Sequence, residues 1–123
     1  MTSPTPKRNK GLKRVWNAVF HSLNGFRSCF RTEEAFQQEL VLAFFLIPLG
    51  LYLGETAVER LLLCLAVLFV LLVELLNTAI ERAIDRISFD RHELSKEAKD
   101  MGSAAVMLSI LIALFSWAVI LMR

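Results

Sequence analysis

The chain has 123 residues, 55% of them hydrophobic, and a formal net charge of only +2. Its mean hydropathy is positive, which argues against a water-soluble globule and leaves room for one domain. Basic residues lie beside apolar runs, so no nucleic-acid-binding surface is expected. The two cysteines, Cys29 and Cys64, fall in unlike settings and show no metal-type spacing.

In chain order, residues 1–11 read as a disordered tail containing Pro4 and Pro6, and residues 12–123 as one membrane-embedded domain. An amphipathic surface helix is expected over about 12–31. Leu12, Val15, Trp16, Val19, Phe20, Leu23, Phe26 and Phe30 form its apolar face. Lys13, Arg14, Asn17, His21, Asn24 and Arg31 lie opposite, a pattern suited to an anionic leaflet.

Three runs have the ~20-residue length of a membrane span: about 35–54, 61–80 and 101–122. The fold class is therefore all-α, with three transmembrane helices and a surface helix. Pro48 and Gly50 predict a kink or widened turn in the first span, and Ser95 is a candidate N-cap for the third. In the third span Gly102, Ala105, Ser109, Ala113 and Ser116 make a small-residue face, while Lys99, Ser103 and Trp117 align on another.

Seven of the 14 Lys and Arg precede the first span, one (Arg60) lies in the first connection, five in the second, and Arg123 follows the third. The positive-inside rule places the N-terminus and second connection in the cytoplasm, and the C-terminus outside.

The most informative stretch is "VELLNTAIERAIDR", Val73 to Arg86. Glu74, Asn77, Glu81 and Asp85 fall within about 80° on a helical wheel, making a polar stripe that begins at hydrophobic depth. A charged residue there costs ~2.5–3.5 kcal/mol on insertion scales, so it is read as functional by default. Glu74 lies ~10 Å deeper than Glu81, in a setting that suits a general base. Glu81 and Glu33 are wetter, and carboxylates with Lys and Arg nearby suit Mg²⁺ and phosphate. The bland alternative is helix gluing by hydrogen bonds, which Asn77 alone could supply.

"EEAFQQE", "VELLNTAIERAIDR" and "HELSKEAKDMGSAAV" together resemble the three signature segments of the bacterial integral-membrane diacylglycerol kinases, from about Leu12 to Trp117. The undecaprenol kinases, a sister branch, share the second segment; the third resembles the diacylglycerol form. The resemblance implies a homotrimer in the bacterial inner membrane, with periplasmic C-termini, passing the ATP γ-phosphoryl group to diacylglycerol to give phosphatidic acid. It implies Glu74 as base with Asn77 orienting it, and Mg²⁺ held by Glu33 and Glu81. For ATP it implies Arg14, His21, Glu33, Glu81, Asp90, Arg91, His92, Lys99 and Asp100. For the lipid it implies Arg14, Arg27, Ala35, Gln38, Glu39, Arg60, Glu74, Ser103 and Trp117. The chain departs from the family at His21 and Asp90, where Tyr and Glu are usual. A reading from another class is a small proton-coupled transporter using Glu74, which leaves the charged second connection unexplained.

Overall fold

The computed structural model describes residues 10–123, so the expected tail lies almost wholly outside the described residues. Four helices follow one another: α1 (Leu12–Thr32), α2 (Glu34–Leu53), α3 (Ala57–Ile87) and α4 (Glu93–Leu121). The last three are long and apolar enough to cross a membrane. At 1.5 Å per residue the 31 residues of α3 extend ~46 Å, well past the ~30 Å hydrocarbon layer. The polar end of its stripe therefore projects beyond the lipid tails.

Each junction has a local cause. Glu33 adopts an extended conformation (φ −112°, ψ 109°) between α1 and α2, letting the surface helix turn into the first span. Gln37 secures the corner, its Nε2 donating to the Phe30 carbonyl at 2.6 Å. At the other end of α2, a Cβ on Gly54 would lie 2.6 Å from Arg60 Cγ, so only glycine fits the turn. Thr56 then caps α3, its Oγ1 accepting from Glu59 N at 3.1 Å. Arg123 clamps this same end through Glu59 at 2.6 Å and Glu55 at 3.2 Å.

One expectation needs correcting. The N-cap of α4 is His92, whose Nδ1 accepts from Leu94 N at 3.1 Å; Ser95 lies inside the first turn. The helix starts earlier because an imidazole nitrogen serves as well as a hydroxyl. Around Pro48, α2 remains one continuous helix; the missing N–H leaves one carbonyl free without ending the element.

The most extensive packing is between α3 and α4, followed by α2 against α3, while α1 touches the others sparingly. Gly102 and Ser109 are buried against this packing, whereas Ala105 is exposed, so part of the small-residue face is used within the chain. A thin core gathers Cys29, Phe36, Ala43, Val67 and Leu71. Most large apolar side chains are exposed, including Trp16 and Phe20 on α1 and Leu65, Phe69 and Leu114 on the spans. In a bilayer, lipid covers these faces.

Candidate functional site

The stripe of α3 is turned inward at its deep end. Glu74 is 7% exposed although ionisable, and its carboxyl lies within hydrogen-bonding reach of Glu39 on α2. Glu39 Oε2 is buried without a hydrogen-bond partner. Two carboxyls this close can be joined by one proton, which fits a place where a proton is received. Glu33 and Glu81 are near enough to act electrostatically on Glu74, so four carboxylates from two helices and their junction gather in one region.

Asn77 takes a different part from the one expected. Its Nδ2 donates to Glu81 Oε1 at 3.2 Å, so it holds Glu81 rather than Glu74. The amide fits here because α4 presents a glycine: a Cβ on Gly102 would overlap Asn77 Oδ1 and lie 3.2 Å from Asn77 Cγ. Farther out, Asp85 accepts from Lys99 Nζ at 2.7 Å, tying the stripe to α4.

An open groove of about 360 Å³ leads to Glu39. Ala35, Gln38 and Glu39 line its polar end, and Leu42, Leu46, Val67, Val70, Ile110 and Leu114 its apolar length. Hydrocarbon fits such a wall, with a polar group at the Glu39 end. Ser103 is exposed on α4, one turn from Lys99.

A second pocket, of about 340 Å³, lies where α3 passes into α4. Asp90, Arg91, His92, Lys99 and Asp100 all line it, together with Ser88, Ser95 and Lys96. The loop is shaped by Ser88 Oγ, which accepts from Asp90 N at 2.9 Å. Because capping occupies His92 Nδ1, only Nε2 of that ring is free for a ligand. Lys96 pairs with Asp100 at 2.8 Å, and the N-terminus of α4 favours negative charge here.

Other expected residues lie apart. Arg14 and His21 are exposed on α1 and line neither pocket. Arg27 lines a separate cavity at the end of α1. Arg60 Nε donates to the Gly54 carbonyl at 3.1 Å, and Trp117 Nε1 to the Leu63 carbonyl at 3.0 Å. Arg60 is ~21 Å along α3 from Glu74, and Trp117 ~21 Å along α4 from Ser103, beyond the ~15 Å depth of one leaflet's tails. The single chain does not gather these two with the groove's polar end. Sequence reasoning missed the Glu39–Glu74 pairing, the Asp85–Lys99 bond and the need for Gly102. Asp85 had a signal, its place on the stripe; the other two depend on how the helices are rotated against one another.

Cys29 is buried and donates weakly to Thr78 Oγ1 at 3.6 Å. Burial pushes its thiol above the ordinary cysteine value, so it packs rather than reacts.

A membrane protein with an apolar groove ending at a carboxyl, and a charged pocket beyond the same helix stripe, has the layout of an enzyme joining a lipid to a polar anionic substrate. The family model described as prokaryotic diacylglycerol kinase matches residues 20–121. A diacylglycerol kinase of Pseudomonas aeruginosa is 48% identical over 121 residues, covering 98% of each chain. One of Haemophilus influenzae is 46% identical, covering 93% of this chain and 97% of its own. One of Escherichia coli is 41% identical, covering 90% and 91%. The chain belongs to the prokaryotic diacylglycerol kinase family.

Proposed function

We propose that the chain is an ATP-dependent lipid kinase that phosphorylates the free hydroxyl of diacylglycerol, giving phosphatidic acid. The observation that carries the reading is the groove that ends at Glu39, whose carboxyl neighbours that of the buried Glu74. A lipid lying in it by its tails would hold its hydroxyl beside a carboxylate that can accept the proton.

Balanced as a reaction, the hydroxyl oxygen forms a bond to the γ-phosphorus, the bond to the β-bridging oxygen breaks, and ADP leaves. The hydroxyl proton passes to Glu74. Glu39, beside it, can share that proton, so the pair disperses the change in charge. The loop pocket offers Arg91, Lys96 and Lys99 to phosphates and the His92 Nε2 edge to the nucleotide, with Asp90 and Asp100 at its wall. Lys99 must leave or share Asp85 to reach a phosphate. Arg14 and His21 would close over the nucleotide only if α1 bends toward the loop.

Mg²⁺ typically takes one or two carboxylates and fills its remaining positions with phosphate oxygens and water. Glu33 and Glu81 suit such a set, and Asn77 holds Glu81 ready. When bound, the ion would neutralise charge on the phosphates. For the lipid, the reading rests on Ala35, Gln38, Glu39, Glu74 and Ser103, with Arg60 and Trp117 bracing the far end.

The proposed setting is the bacterial inner membrane, with the N-terminus and α3–α4 loop cytoplasmic, as the basic residues favour. A homotrimer would enclose the groove, which is open on one side in a single chain. The test is transfer of radioactive phosphate from ATP to diacylglycerol or undecaprenol in mixed micelles. Labelling of diacylglycerol supports the reading. Labelling of undecaprenol alone would move it to the sister branch, and none of either would leave the transporter.

A further inference from the structure

α1 is the least secured element of the chain. Packing between helices is concentrated on α3, against α4 and α2, while α1 touches α3 only sparingly. One side chain makes up for this. Arg82 leaves α3 toward α1 and grips its last turn. Its Nη1 donates to Ser28 Oγ at 2.6 Å, and its Nη2 to the Ser28 carbonyl at 3.3 Å and to Thr32 Oγ1. Among the described residues, the other side-chain hydrogen bond between α1 and α3 is the weak thiol contact of Cys29 with Thr78.

The grip suits holding rather than charge pairing. A guanidinium is a planar fork with donors in fixed directions, so bonds to two hydroxyls and a carbonyl fix both the distance and the rotation of the partner helix. Among the described residues no carboxylate pairs with Arg82, although Glu81 precedes it in sequence. On a helix the two side chains point ~100° apart. Arg82 therefore leaves Glu81 free, and Glu81 Oε1 keeps its bond from Asn77. A cation at the C-terminal turn of α1 is also favoured by the helix dipole.

What the grip fixes is Glu33. It is the one residue between α1, which ends at Thr32, and α2, which begins at Glu34. Its backbone is extended. Because α2 is seated on α3 by packing, a swing of α1 is taken up in the torsions at Glu33, and the carboxylate moves with them. Arg82 holds Thr32, the residue immediately before this pivot, and Gln37 ties α2 to the Phe30 carbonyl of the same turn. Glu33 and Arg82 both lie near enough to Cys29 to act on its thiol. Glu33 and Glu81 both act on Glu74. Grip, pivot and stripe are thus neighbours.

We propose that Arg82 is a positioning residue for phosphoryl transfer: by tethering the end of α1 to α3 it sets Glu33 beside Glu81, so that a divalent cation meets both carboxylates already in place. Arg82 touches neither the cation nor a substrate in this role and acts through Glu33. The role rests on Glu33 and Glu81 being the metal pair, as proposed above. Freed from Arg82, Glu33 has to be immobilised each time the cation binds. At the usual cost of ordering one side chain, that weakens the cation by about 2–10-fold. The lipid side is untouched, because Arg82 is exposed and lines neither the groove nor the loop pocket.

The experiment is Mn²⁺ binding to the full chain in detergent micelles, followed by electron paramagnetic resonance with a non-hydrolysable ATP analogue present, so that no turnover enters. Arg82→Ala should weaken Mn²⁺ by about 2–10-fold, while thermal melting and the KM for diacylglycerol stay at wild-type values. Ser28→Ala combined with Thr32→Val leaves Arg82 in place but removes the hydroxyls it holds, and should reproduce most of the loss. Arg82→Lys keeps the charge and loses the fork; full Mn²⁺ affinity in it would credit charge at the helix end and overturn the tether. Glu33→Gln is the control. Because Arg82 acts through Glu33, adding Arg82→Ala to it should cost almost nothing more. Wild-type Mn²⁺ affinity in Arg82→Ala, or fully additive losses, overturns the positioning role and leaves the metal assignment standing. Wild-type affinity in Glu33→Gln overturns the metal assignment, and the role of Arg82 with it. Lower melting with equal weakening of Mn²⁺ and diacylglycerol would make Arg82 a structural brace, which also overturns the proposal.

Discussion

Gly102 is the point at which α4 comes closest to the polar stripe, and replacing it tests the site without touching a charged group. In Gly102→Ala the new Cβ overlaps the Asn77 carboxamide oxygen. Only the end of a side chain stands in the way, so Asn77 turns and its 3.2 Å bond to Glu81 is lost. Hydrogen bonds between side chains in membrane bundles average ~0.6 kcal/mol, with a maximum near ~1.7, while alanine in place of glycine within a helix gains ~0.5–1 kcal/mol. The two nearly cancel, so thermal stability should move by less than ~1 kcal/mol. Activity should not be so well protected. If Glu81 serves the metal and nucleotide as proposed, it has to be immobilised again on binding, at ~0.5–1.5 kcal/mol per side chain, or ~2–10-fold in kcat/KM for ATP. The assay is lipid phosphorylation against ATP at fixed Mg²⁺, with melting followed in parallel. Asn77→Ala removes the same bond and the same clash, so adding Gly102→Ala to it should cost almost nothing more. Fully additive losses, or an unchanged kcat/KM in Gly102→Ala, would refute the reasoning.

Glu74→Gln should lower phosphoryl transfer by ~10²–10⁴ while nucleotide binding stays within a few-fold of wild type; equal loss of ATP binding, measured by equilibrium titration, would make Glu74 structural. Glu33→Gln and Glu81→Gln should each raise the Mg²⁺ concentration needed for half-maximal rate and weaken ATP, and unchanged titrations in both would remove the metal assignment. If sites are completed across subunits, inactive Glu74→Gln and Asp100→Asn chains refolded together should regain activity. No recovery, with trimers verified by cross-linking, would place each site within one chain.

The spans were legible because apolar runs of this length have few other uses, but their ends were not. Hydropathy stops at Ile80, whereas α3 continues to Ile87, because an amphipathic helix needs no lipid to carry on. The stripe was legible from period alone, and its internal pairing was not. Asn77 stands three residues from Glu74 and four from Glu81, so either partner fits the wheel. The position the amide takes beside Glu81 depends on Gly102, on another helix, leaving room for it. Likewise Glu39 could be placed at the right level, but its meeting with Glu74 depends on the rotation of α2 against α3. The loop pocket gathers five residues that the family resemblance implied. Arg27 was implied by the same route and sits elsewhere, since a resemblance carries residue type but not the cavity a residue faces.

The order of groups along α3 bears on how two unlike substrates could meet. A diacylglycerol hydroxyl cannot rise far above the headgroups, and a nucleotide cannot sink into hydrocarbon, so the reacting atoms must lie at one narrow level. Glu74 lies behind Glu39, which lines the groove's polar end, and Asp85, ~16 Å farther along the helix, holds Lys99 at the edge of the loop pocket. Glu81 falls between them, seven residues from one and four from the other. On the proposed reading that sequence repeats the order of the substrates themselves: acceptor hydroxyl, transferred phosphate with its metal, then the rest of the nucleotide. Moving the base even one turn toward Glu81 would lift it out of lipid reach, whereas moving it one turn deeper would separate it from the phosphate. A single straight helix crossing the interface fixes both distances at once, and that is a physical reason for placing a carboxylate where lipid makes it expensive.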